Sequence, residues 1–104
     1  MALLILDSTT KSIVASMSGA AATTDPDFTV AFADSTSTTF TQGANDGALN
    51  GTSDVTLVSA PSASTQRVVK GITIENKDTA AVTITISYNN NATLRTIAEV
   101  TLAV

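Results

Sequence analysis

The stretch VTITISYNN, residues 82–90, alternates Val82, Ile84, Ile86 and Tyr88 with Thr83, Thr85 and Ser87, and a spacing of two places the first set on one face of a pleated strand. The stretch before it, RVVKGITIEN at 67–76, repeats the pattern through Val68, Ile72 and Ile74. Two such runs separated by the polar connection Asn76 to Ala81, whose Asn and Asp readily close turns, predict neighbouring antiparallel strands. Each has a buried aliphatic face and a Thr-rich outer face. Working outward, Val55–Ala60 is a further strand and Pro61–Gln66 a turn. Asn89–Asn91 turns the chain again into a final run in which Leu94, Val100, Leu102 and Val104 share a phase that Ile97 breaks. A bulge or strand break over Thr96–Ala98 explains that phase change.

Towards the N-terminus, Leu3–Leu6 and Ser12–Met17 flank Asp7-Ser8-Thr9-Thr10, the pattern of a first hairpin or of a terminal arm over residues 1–17. Ser18–Asp27 contains an Ala cluster, but Thr23, Thr24 and Pro26 favour a loop over a helix. Phe28, Val30 and Phe32 alternate as a strand directed into the core and ending near Asp34. Residues 35–54 are dominated by Ser, Thr, Gly and Asn, with turn signals at Asn45-Asp46-Gly47 and Asn50-Gly51. This segment is expected to be a long polar loop with at most a short strand over Thr38–Gln42. The expectation is one domain over 1–104, an all-β antiparallel sandwich of seven to eight strands.

Composition narrows the chemistry. Neither Cys nor His occurs, so disulfides, thiolate nucleophiles, His-based triads and the usual zinc and copper ligands are excluded. A Ser–Lys pair through Lys11, Lys70 or Lys77 is formally available, yet lysines on strand faces and in turns are ordinarily solvated. Asp25/Asp27 and Asp46/Asp54 are the paired carboxylates that glycoside hydrolysis would need, and turn formation explains them more simply. Asn45, Asp46, Asn50 and Asp54 offer oxygen ligands in one segment, but their spacing does not match a calcium loop. No cofactor is expected.

The net charge is −4 with five cations scattered along the chain, which gives no basic patch for nucleic acid. The apolar run in MALLILDSTTK lacks a preceding basic region and ends at Asp7, too short for a signal peptide or a membrane helix. Synthesis in a cytoplasm and no membrane partner are expected. Only three Phe and one Tyr are present, so the core is thin, and oligomerisation is the remaining stabilising device for a small chain without cross-links.

The run from Val55 to Leu102 resembles small structural proteins of tailed bacteriophages and prophages. The resemblance is carried by Ala60-Pro61, Thr65-Gln66-Arg67, Val69, Ile72, Ile74, Asn76, Asp78-Thr79-Ala80, the strand Val82–Tyr88 and Arg95, and more loosely by the MALLILDSTTK opening. It implies a non-enzymatic virion protein, a capsid decoration or minor head protein bound to the major capsid protein. The alternative is a tail, fibre or adaptor module contacting tail components or host-surface glycans. Such proteins continue past the last strand into a Gly-Asp or Gly-Glu turn and another strand, whereas this sequence stops at Val104, and an edge open to a neighbour is the expectation. Self-association, with a trimer as the first guess from the three-fold sites of icosahedral shells, and docking on other virion subunits follow. The candidate contact residues are Leu3, Leu4, Ile5 and Leu6 on the first strand, Asn45, Asp46 and Asn50 in the polar segment, and Val100, Leu102 and Val104 on the last.

Overall fold

A computed structural model describes residues 4–104. These form eight strands: β1 (Leu4–Leu6), β2 (Lys11–Met17), β3 (Asp27–Ser35), β4 (Phe40–Ala48), β5 (Val55–Val58), β6 (Gln66–Glu75), β7 (Val82–Asn90) and β8 (Thr93–Leu102). They build two four-stranded antiparallel sheets, ordered β1-β6-β3-β4 and β5-β2-β7-β8. The chain is thus an all-β antiparallel sandwich, elongated to 47 × 25 × 19 Å. Only the β3–β4 and β7–β8 connections stay within one sheet; every other connection crosses between sheets.

The first strands are therefore not a hairpin. β1 pairs with β6 and β2 pairs with β5 and β7, so Asp7–Thr10 is a corner that carries the chain from one sheet to the other. Leu6 and Ile13 on either side of it are fully buried, and burying both, one in each sheet, is what a corner permits. Ser18–Pro26 is a loop, as the Thr and Pro content requires.

The core comes from the inner faces of both sheets, with Leu6, Ile13, Val30, Leu57, Val69 and Ile84 completely enclosed. In β6 the buried residue is Val69 and not Val68. Ala31 pairs with Gly71 but Phe32 pairs with Val69, which leaves Lys70 as an extra residue. A one-residue bulge exchanges the faces of everything beyond it, so Val69 joins Ile72 and Ile74 on the core side while Val68 turns outward beside Ile5. Ile86 and Tyr88 share the inward phase of Ile84 but are only half-buried, packed against the margin of the core. The phase break in the last run is also a bulge: Ile86 pairs with Ala98 and Ser87 with Thr96, leaving Ile97 unpaired.

The largest departure from expectation is in residues 35–54. Nine of them, Phe40–Ala48, form β4, which runs alongside the whole of β3. Gly43 lies opposite Phe32 and Gly47 opposite Phe28. A Cβ on Gly43 would stand 2.9 Å from Cζ of Phe32, and one on Gly47 would stand 3.0 Å from the Phe28 ring. Each aromatic ring thus lies flat over a glycine of the neighbouring strand, so β4 is recruited by the side chains of β3 and contributes almost none of its own.

Three polar residues fix the ends of the sandwich. Asp78 is buried, and its carboxylate accepts hydrogen bonds from the amides of Ala22, Thr23 and Thr79 and from the Thr23 hydroxyl at 2.8–2.9 Å. Burial pushes its pKa up, but these donors outweigh that and hold the carboxyl far below its ordinary value of 3.8. Arg67 grips Asp34 through two parallel hydrogen bonds of 2.8 and 3.0 Å, donates to the Ser59 carbonyl, and lies 4.5 Å above the Phe32 ring. Hydrogen bonding to Arg67 keeps the Asp34 carboxyl below 3.8 despite partial desolvation. Asn76 donates to the carbonyls of Ala80, Leu102 and Ala103, which ties the β6–β7 connection to the end of β8. Because both acid groups have depressed folded-state values, the stability they contribute is present above about pH 3.8 and is lost progressively on acidification below it.

Candidate interaction surface

The expected contact residues are distributed over three parts of the molecule. Leu3 lies outside the described residues. Leu6 is fully buried in the core and so presents no contact surface, and Leu4 is half-buried, packed against the same core. Ile5 alone of the described first strand is exposed, at 49%. In the polar segment Asn45 is a strand residue whose side-chain amide donates to the Leu57 carbonyl at 2.8 Å, closing the β4 edge of one sheet against β5 of the other. Asp46 stands exposed opposite Thr29 on β4. Asn50 belongs to the following turn, where its carbonyl accepts the Ser53 amide at 3.0 Å. These three do not form a ligand cluster, and among the described residues no three acidic side chains converge on one point.

With β4 and β5 closed on one flank, β1 and β8 are the edge strands of the other. β8 is the longer by far and is exposed along nearly its whole length. Leu94, Ile97 and Val100 expose 48%, 44% and 40% of their surface. Leu102 is half-buried against the core, and Val104 beyond the strand is exposed. Val100 is informative because it pairs with Ile84 and so faces inward, yet it remains exposed: the opposing sheet does not reach far enough to cover it. Leu94 and Ile97 are absent from the expected contacts. The break in phase at Ile97 was the available signal, since a bulged side chain on an edge strand has no neighbour to cover it.

Among the described residues two concavities stand out besides. One of about 210 Å³ lies beside Asp78, Met17 and Gly19, but the Asp78 carboxylate there is already saturated by backbone donors. The other, of about 460 Å³, lies between Phe32, Asn45, Thr56, Ser59 and Arg67, and Arg67 is committed to Asp34 and Ser59. Neither gathers a nucleophile with a base or a pair of free carboxylates. No family model, curated protein or solved structure matches this chain.

Proposed function

We propose that the chain is a non-enzymatic virion structural protein of a tailed bacteriophage, a decoration or minor head protein that binds the assembled capsid shell. The observation that supports the reading is the bare apolar margin of β8, a ten-residue edge with Leu94, Ile97 and Val100 open to solvent, on a sandwich whose polar side chains are spent on holding turns. Exposed apolar surface on a small domain suits a part that works in contact with others. The residues that carry the resemblance to phage structural proteins fit the same picture: Arg67, Asn76 and Asp78 are fold-closing groups, so the motif describes a scaffold and not a reaction. The reading is tested by the copy number of the chain in purified particles and by its co-sedimentation with purified capsids. On the order of hundreds of copies per particle is the expected result for a shell component of symmetric assembly. A handful of copies would favour the tail, fibre or adaptor reading, and absence from particles would remove both.

A further inference from the structure

Asn50 is the only asparagine of the chain followed by glycine. That pair is chemically labile, because the amide nitrogen after an asparagine can attack the side-chain carbonyl carbon and glycine has no Cβ to obstruct it. The turn that holds the pair is tied on several sides. Asn50 bridges Ser53, whose amide donates to the Asn50 carbonyl at 3.0 Å, and Gly51 has a φ of 54° at the first central position, as a type II′ turn requires. The Met17 amide donates to the Gly51 carbonyl at 2.8 Å, and the Leu49 amide donates to the carbonyl of the fully buried Pro26 at 2.9 Å. Pro26 fixes its neighbour Asp25, whose Oδ1 accepts the Gly51 amide at 3.3 Å. The nitrogen that would attack is therefore hydrogen-bonded to a carboxylate. We propose that Asn50 is the deamidation site of this protein and that Asp25 is the residue that restrains it.

In the reaction the Gly51 nitrogen gives up its proton and bonds to the Asn50 Cγ, and the side-chain nitrogen takes up a proton and leaves as ammonia. The resulting succinimide adds one water. Opening at one carbonyl gives an aspartyl residue, and opening at the other gives an isoaspartyl residue whose backbone runs through Cβ and Cγ. Asp25 opposes the first step in two ways: its hydrogen bond to the attacking amide must be given up, and negative charge has to develop on nitrogen beside a carboxylate. The isoaspartyl product has one more backbone atom within the turn, so the bonds to Met17, Asp25 and Ser53 cannot all be kept. Those bonds fasten the end of β2 and the Ser18–Pro26 loop to the chain beyond β4. Modification at Asn50 therefore loosens this end of the sandwich, and the folded chain resists it by the same bonds that the product would lose.

The test follows ammonia release and the aspartyl and isoaspartyl content of the peptide holding residue 50, with the full chain incubated at mildly alkaline pH either folded or in urea. In urea the native chain should modify first at Asn50, and at least about tenfold faster than when folded, as loss of a hydrogen bond to a charged group implies. Asp25→Ala should raise the folded-state rate about tenfold by the same reasoning and leave the rate in urea unchanged. Asp25→Asn, which keeps the shape and an acceptor but removes the charge, should fall between the native chain and Asp25→Ala, and it carries the test should circular dichroism show that Asp25→Ala does not fold. Equal native rates folded and in urea, a folded Asp25→Asn chain no faster than the native one, an effect of either substitution that persists in urea, or modification beginning at another asparagine would each overturn the proposal.

Discussion

Strands β4 and β8 are both long, both at the edge of a sheet and both exposed, yet they are strands for opposite reasons. β8 carries Leu94, Ile97, Val100 and Leu102, side chains that favour a pleated surface by themselves. β4, with the sequence FTQGANDGA, has low strand propensity and is held by the ladder to β3 and by two Phe rings that need glycine beneath them. The difference teaches that an edge strand can be specified by its own residues or by its neighbour's. Only the first kind leaves an apolar surplus facing solvent. β4 closes its flank of the sandwich; β8 leaves its flank open.

The comparison breaks most readily at Phe28. Phe28→Ala should cost about 3–5 kcal/mol in urea unfolding, the range for truncating a buried aromatic, and amide exchange along β4 should quicken with it. A loss under about 1 kcal/mol would mean that the ring is not what holds β4. A smaller effect is expected at the glycine beneath it. Gly47→Val forces a buried ring to move and should cost about 1–3 kcal/mol, whereas Gly43→Val should cost less because Phe32 is only half-buried. Equal losses at the two sites, measured by the same unfolding curves, would show that strand propensity and not ring packing governs β4.

Smaller still, and of opposite sign, is the effect at the turn that feeds β8. Asn91 and Ala92 form a two-residue turn with φ of 51° and 72°, and a left-handed Ala carries a steric penalty that glycine avoids. Ala92→Gly should raise stability by about 0.5–1 kcal/mol after the extra freedom of glycine in the unfolded chain is counted. A decrease in thermal midpoint would contradict this. The least effect is expected on β8 itself: Ile97→Lys should change folding stability by no more than about 0.5 kcal/mol. A larger loss would mean that Ile97 supports the core and is not surplus surface.

The legibility of the fold follows the same division. The strands with apolar alternation, β3, β5, β6, β7 and β8, were readable with their turns, because period two and Asx-rich connections are local signals. The bulge at Ile97 was readable too, since it displaces the phase of a long run. The bulge at Lys70 was not: Val68 and Val69 are chemically alike, and which of them faces inward depends on where β3 pairs. β4 was unreadable from its own composition, because the cause of its conformation lies in Phe28 and Phe32 on another strand. The exposed apolar margin was half legible. Val100 and Val104 were readable as terminal apolar residues, whereas the burial of Leu6 depends on β1 being taken into the β6 sheet.

By itself the sequence determined that this protein is all-β, that its chemistry excludes thiols and imidazoles, and that the apolar phase of its last run breaks at Ile97. These follow from residue type and spacing, which act over a few neighbours. Tertiary structure alone decided that the first two strands part into different sheets, that a glycine-rich segment becomes an edge strand, and that Asp78 and Arg67 serve to hold the fold. Each of those depends on groups that are distant in the chain and meet only once it is folded: Asp78 with the amides of Ala22 and Thr23, Arg67 with Asp34, and Gly47 with Phe28.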